Sequence, residues 1–210
     1  DFHPSRAGQA SRDFLSDWRG KLVCDDYTGY KAGFASGITE VGCWAHARRK
    51  FHELLERNQS PIAEKALTYI GTLYDIERQA ADLLPDGRRR LRETQARPIV
   101  DKLRDWLTGQ RSQLTSGTRT AKAIDYSLKR WAALIRYLDD GHLPIDNNWV
   151  ENQIRPWALG RSNWLFAGSL RSGQRAANVM TLIQSAKING LDPQAYLRDV
   201  LARLPTARQS

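Results

Sequence analysis

KLVCDDYTGYKAGFASGITEVGCWAHARRKF, residues 21–51, is the stretch on which the fold turns. KLVCD, at 21–25, is a short apolar run ending in acids and followed by Tyr27, Thr28 and Gly29. That pattern predicts a strand whose carboxyl end delivers Asp25 and Asp26 to a loop. ITEVGC, at 38–43, predicts the next strand. In WAHARRKFHELLER, at 44–57, Trp44, Ala47, Phe51, Leu54 and Leu55 share one side, while Arg48, Arg49 and Lys50 fall largely elsewhere. This is the pattern of an amphipathic helix. Upstream, Ala7, Ala10, Phe14, Leu15 and Trp18 recur near helical spacing, which predicts a helix from Ser5 to Trp18 with Gly20 as its stop. Strands alternating with helices predict an α/β layer.

From Ser60 to Asp140 the strand signals vanish. Apolar residues recur at three and four: Ile62, Ala66, Ile70, Leu73 and Ile76, then Leu91, Ile99, Leu103 and Trp106, then Ile124, Leu128, Trp131, Ile135 and Leu138. The block is read as about three helices, separated at Pro85-Asp86-Gly87 and Thr115-Ser116-Gly117, with Pro98 as a kink or restart. It has the look of an insertion. PIDNNWVENQIRPWALGRSNWLFAG follows at 144–168, and then two more helices, Ser172 to Ile188 and Pro193 to Leu204. Asn189-Gly190 ends the first, and Asp192-Pro193 begins the second as cap and first position. There is no internal repeat and no low-complexity tract.

The length of 210 residues suits one or two domains, and 41 % hydrophobic content is enough for a core. Thirty-two Lys and Arg against 23 Asp and Glu give a formal charge of +9, with a pI near 9.8. Such a balance favours a polyanionic partner, nucleic acid first and an anionic membrane surface second. No run approaches the roughly 18 apolar residues of a membrane span, and the amino-terminal residues hold no apolar signal core. Two cysteines, Cys24 and Cys43, form no disulfide framework. The expectation is a cytoplasmic protein with no membrane partner. The start at Asp1-Phe2-His3-Pro4, without an initiator Met, is read as that of a fragment.

A nuclease or transposase site needs two or three carboxylates distant in sequence and adjacent in space, because each hard divalent cation takes oxygen ligands around one phosphate. Asp25 at a strand end and Glu151 near a helix start suit that scheme. Each has a plainer reading. Asn148-Trp149-Val150-Glu151 is a capping box, with Asn148 capping the helix and Glu151 reaching back to its N–H. Asp25 has the ordinary role of an acid that makes the turn after a strand. Cys43 and His46 have the look of half a zinc site, but four tetrahedral ligands are required and only Cys24, His3, His52 and His142 remain as partners, so zinc is the disfavoured reading.

LVCDDYTGYKAG (22–33), CWAHARRKF (43–51), RYLDDGHLPIDNNWVENQIRPWALGRSNWLFAGS (136–169) and SAKINGLDPQAYL (185–197) occur in the order found in transposases of the insertion sequence 66 family. The chain resembles that family over nearly its whole length. The resemblance implies a DDE transposase, which cuts DNA at the ends of an insertion sequence and transfers the freed 3′-OH to target DNA. It implies a ribonuclease-H-like core, here partial with its first strands missing, an all-α insertion and carboxyl-terminal helices. Three acids would hold two Mg²⁺ or Mn²⁺ ions. By position, the second acid falls on Asp25 and the third on Glu151, with Asp26 only a neighbour. The first acid falls upstream of Asp1, so this chain is expected to have little or no catalysis of its own.

On the same resemblance, 1–58 and 144–170 belong to the core, 59–143 to the helical insertion and 171–210 to the terminal helices. Cys43 and His46 buttress the site, and Asp146, Asn148 and Asn152 fix the start of the Glu151 helix. Arg48, Arg49, Lys50, Arg155, Arg161, Arg171 and Arg175 are expected phosphate contacts, with Trp149, Trp157 and Trp164 placed to stack on bases. Expected partners are DNA, further copies of the chain on DNA and other element-encoded proteins, in a bacterial cytoplasm at the nucleoid. Two other classes remain: a DNA-binding transposase remnant without activity, and a helical interaction protein. Steep loss of binding with salt would separate these two.

Overall fold

The computed structural model describes residues 2–3, 5, 7–164 and 167–206, and the side chains at 58, 161, 162, 164 and 206 lie outside that description. The chain divides into a larger unit, Ser11–Asn148, and a smaller one made of Asp1–Ala10 and Trp149–Ser210.

Helix α1, Gly8–Leu15, precedes strand β1, Lys21–Cys24. A 3-10 turn, Thr28–Tyr30, and α2, Lys31–Ala35, lead to β2, Thr39–Gly42. The two strands pair in parallel, with Lys21 opposite Thr39 and Cys24 opposite Gly42. Both strands therefore form where their apolar runs predict them.

The wider expectation of an α/β chain with a ribonuclease-H-like core is not met. Among the described residues the sheet has two strands of four residues each, and the fold is mostly α. The reason lies in what the helices bury. The core of the larger unit is built from Trp44, Phe51, Ile70, Leu73, Leu103, Leu107, Ile124 and Leu134, all on helices, with Val41 the strand residue that joins them. Helix packed on helix supplies the apolar interior that a broad sheet would otherwise provide.

Those helices follow from local rules. Helix α3, Trp44–Asn58, ends on Gln59 in the left-handed conformation. Helix α4, Pro61–Gln79, starts with Pro61 in its first turn and with the Ser60 hydroxyl accepting the Ala63 N–H. Its Ala63, Ala66, Ile70, Leu73 and Ile76 form one buried stripe. Helix α5, Pro85–Leu91, runs through a π turn, Arg92–Ala96, into α6, Arg97–Ser112. The π turn ends just before Arg97-Pro98, and the missing N–H and bulky ring of Pro98 disrupt the regular α ladder at Thr94. Pro98 thus modulates a continuous helix instead of restarting it. Helices α7, Arg119–Lys129, and α8, Trp131–Ile135, complete the unit, α7 starting on a Thr118 cap.

Arg92, on the π turn, is fully buried. Its Nε and Nη2 donate to the Glu77 carboxylate at 2.8 and 2.6 Å. Nη1 donates to the carbonyls of Tyr137 and Asp140, and Nη2 also to that of Leu143. All five guanidinium protons are used, so the charge is buried without an orphaned donor. The result is a fixed path for residues 137–143. At Gly141 that path runs so close to Pro85 that a Cβ would sit 1.8 Å from the Pro85 carbonyl oxygen.

In the smaller unit, α9, Asn148–Trp164, starts at the boundary and carries Pro156 inside it. Helices α10, Leu170–Ile188, and α11, Pro193–Arg203, are joined by a Schellman turn: Gly190 has φ +71°, Gly190 N–H reaches Lys187 and Leu191 N–H reaches Ala186. Asp192 then caps α11 by accepting the Ala195 N–H at 2.7 Å. The Phe2 ring lies against Gly173 of α10.

Candidate active site

Parallel strands end at one edge, and that edge is where an open α/β arrangement presents ligand-binding groups. Asp25 leaves the end of β1 and Cys43 the end of β2, one residue beyond the paired Cys24 and Gly42. Asp25 is half-buried, and its Oδ1 accepts the Tyr27 N–H at 3.0 Å. The turn-making role expected of an acid after a strand is therefore real, and it occupies one carboxylate oxygen.

Arg130 anchors the same strand end from 105 residues away. Its Nη2 donates to the Asp25 carbonyl at 3.1 Å, and its guanidinium pairs with the Glu40 carboxylate and reaches the Tyr126 hydroxyl at 2.9 Å. Asp26, exposed, stands 3.8 Å from it. Burial works against the Arg130 charge, but the Glu40 and Tyr126 hydrogen bonds and charges more than offset it and raise the pKa. The strand end thus has a permanent buried cation. Cys24 is different: burial pushes its thiol up to about 12 against the pull of Arg130, so it stays a neutral core residue.

Residues 145–148 are strapped to the start of α3. The Trp44 N–H donates to the Ile145 carbonyl at 3.1 Å, and the Cys43 thiol donates to Asn147 Oδ1 at 3.0 Å. Burial raises the Cys43 pKa, so the thiol keeps the proton that this bond needs. Tyr74, on α4, donates to Asp146 Oδ2 at 2.7 Å, and burial and this bond together raise the Tyr74 pKa. Asp146 also accepts the Asn148 N–H at 3.0 Å and the Asn148 side-chain amide at 2.9 Å.

That geometry corrects the capping box. Asn148 is the first residue of α9, and its N–H goes to Asp146, the acceptor role that the box assigned to Glu151. The physical reason is that Tyr74 holds Asp146 in place from outside the helix, which gives the N–H a better-fixed acceptor. Glu151 sits half-buried in the first turn of α9, in the smaller unit, with Asn152 exposed beside it. Asp25 belongs to the larger unit.

The basic triplet of α3 is split by the helical turn. Arg48 and Arg49 line an open cleft of about 610 Å³ with His52, Tyr74, Arg78 and Asn148. Lys50 instead lies over the Tyr126 ring, 5.6 Å from its centroid, on the α7 side. His46 is half-buried on the first turn of α3. Arg155, Arg171 and Arg175 are exposed, Trp149 is 63 % exposed and Trp157 is half-buried. Arg161 and Trp164 have side chains outside the described residues. Arg130, Glu40 and Tyr126 escape a reading of the sequence, because nothing local marks an arginine in a helical block as the partner of a strand end.

Asp25 offers the hard oxygen that Mg²⁺ or Mn²⁺ prefers. Among the described residues, however, no group of three or more His, Cys, Asp or Glu is placed to hold a metal ion. The donor chemistry fits at Asp25, and neither unit by itself assembles a full set.

A family model described as Transposase IS66 family matches residues 1–175, and one described as IS66 C-terminal element matches residues 181–210. Three proteins of Sinorhizobium fredii, named uncharacterized protein y4hP, y4jD and y4qI, are 38 %, 34 % and 35 % identical to it over 216, 210 and 211 residues. The matches cover 95 % to 97 % of this chain and 39 % to 41 % of theirs, so it spans about two fifths of the length of these curated relatives. No solved structure matches it. With both models together spanning nearly all of the sequence, the chain belongs to the IS66 transposase family.

Proposed function

We propose that the chain is the part of a DNA transposase that supplies two of the catalytic carboxylates, Asp25 and Glu151, for metal-dependent cleavage and strand transfer at the ends of an insertion sequence. One observation carries this reading. Within the larger unit, residues 145–147, which lead toward the Glu151 motif in sequence, are tied by Cys43 and Trp44 to the end of β2, the strand paired with the one that Asp25 follows, and by Tyr74 to α4.

Divalent ions held by carboxylates neutralise charge at a phosphate and favour its in-line displacement. The chain's own residues do the rest. Arg130 grips the Asp25 carbonyl, which leaves the carboxylate facing the loop with Oδ1 fixed by Tyr27. Asp146 accepts the Asn148 N–H at the start of α9, the helix that carries Glu151. Arg48 and Arg49 give the neighbouring cleft the positive charge that a phosphate backbone needs. Trp149, exposed on the same helix as Glu151, offers a stacking face for a base near the cut.

Manganese titration of the chain, followed by the Mn²⁺ electron-spin signal, tests the assignment. Asp25→Asn and Glu151→Gln should each weaken binding at least about tenfold, since each removes one of few charged ligands. Asp26→Asn should leave it unchanged. Equal loss with Asp26→Asn, or binding indifferent to both ligand variants, would remove these acids from the site and leave DNA binding without chemistry as the better reading.

A further inference from the structure

We propose a second DNA-binding surface, the groove between α3 and α7, which takes the phosphodiester backbone of duplex DNA. It deepens the reading that this chain acts on DNA, and rests on it. The groove has a volume of about 350 Å³ and is lined by Lys50 and Arg57 of α3 and by Arg119, Lys122 and Tyr126 of α7, with Glu53 as the acid on its wall.

Three observations set this groove apart from an ordinary solvated face. The first is that its charge is unspent. Arg92, Arg97, Arg111 and Arg130 are tied to Glu77, Glu93, Asp125 and Glu40, whereas among the described residues no ion pair joins Lys50, Arg57, Arg119 or Lys122 to a carboxylate. Among the same residues Arg89, Arg90 and Arg104 are unpaired too, and what distinguishes the groove is that four such cations line one concave surface. All four are exposed. The second is where α7 puts its cations. Its first turn holds no acid, while Arg119 and Lys122 stand at the end where the helix dipole is already positive. An unliganded helix gains stability from the opposite arrangement. The conflict is relieved by an anion that meets the two side chains and the helix end together.

The third observation is the aromatic floor. Lys50 lies over the Tyr126 ring, and the Tyr126 hydroxyl accepts from Arg130, which in turn holds the Asp25 carbonyl. A strand seated in the groove is therefore one hydrogen-bonded side chain away from the arginine that sets the catalytic strand end. The Arg48 and Arg49 cleft lies on the other flank of α3, lined by α4 residues, so the two surfaces share a helix and no lining residue.

The test is fluorescence anisotropy of labelled duplex DNA with the full chain, measured across a salt series. The variants are Arg57→Ala/Arg119→Ala/Lys122→Ala and, as a charge-matched control, Arg89→Ala/Arg90→Ala/Arg104→Ala, all at exposed positions. Each phosphate contact contributes about 0.9 to the slope of log affinity against log salt. The groove variant should flatten that slope by about 2 to 3 and weaken binding at least about tenfold at low salt, with the control close to the parent. Unchanged circular dichroism establishes that the fold is intact. A parent slope retained by the groove variant, or lowered equally by the control, overturns the groove while DNA binding stands. A parent chain that fails to bind DNA even at low salt overturns both readings.

Discussion

The larger unit and the α9–α11 helices solve the same problem in opposite ways. In the larger unit, Trp44, Phe51, Ile70, Leu73 and Leu103 are fully buried, and a buried arginine spends every proton on neighbours. Along α9, α10 and α11, Trp149, Ile154, Leu159, Val179 and Leu201 remain exposed, and the helices rest on local devices such as the Asp192 cap and the Gly190 turn. Large side chains fill the first region, whereas among the described residues of α9 to α11 only the small Gly173 and Ala186 are buried. The division matters for function, because Asp25 is set in the densely packed region and Glu151 in the one with the smaller core.

The sharpest way to break that comparison is Arg92→Met. Removing one side of the buried pair leaves the Glu77 charge and three carbonyls without donors, and should cost about 3–5 kcal/mol in urea unfolding. A loss under about 1 kcal/mol would mean that residues 137–143 are held by something other than the guanidinium.

A smaller contrast comes from two leucines. Leu73→Ala, in the packed core, should cost about 2–5 kcal/mol, and Leu159→Ala, 63 % exposed on α9, should stay within about 0.5 kcal/mol. Matching losses at the two sites would show that the apolar side of α9 is covered in solution.

The smallest expected effect is one of pH. The Asp140 pKa is lowered, first by its hydrogen bond from Lys21 and then by the His142 N–H. A depressed folded pKa adds stability that is fully present above the unfolded value of about 4 and fades as pH falls through the lowered one. Lys21→Met should therefore lower stability at pH 7 by a few tenths of a kcal/mol, about the size of a partly exposed pair, and that difference should shrink by pH 3. An unchanged difference between pH 7 and pH 3 would assign the Lys21 effect to packing.

Much of this architecture is legible in the residues themselves. The strands at 21–24 and 39–42 and the helix from Trp44 show their apolar spacing openly, as does the stripe from Ala63 to Ile76. The α/β reading went astray in extending two strands to a ribonuclease-H-like sheet, because a strand's sequence does not state how many others pair with it. The capping box failed for a related reason. Asn148 and Glu151 have the right spacing, yet Tyr74, 72 residues before Asp146, fixes the acceptor that takes the Asn148 N–H. Arg48, Arg49 and Lys50 read as one basic triplet, and the roughly 100° turn per residue of a helix sends Lys50 to a different groove.

Both strands, the long helices from Trp44 and Pro61 and the motifs that mark the family were legible in the residues alone, since each depends on neighbours a few residues away, whereas the bounds of α1, the short α2 and the break between α7 and α8 were not. Only the tertiary structure decided that helices would build the core, that Arg92 and Arg130 would be buried keystones, and that α3 would carry basic grooves on two flanks. Those outcomes depend on carboxylates, carbonyls and rings brought together from distant parts of the chain, where burial makes each partner count for more than it would in water.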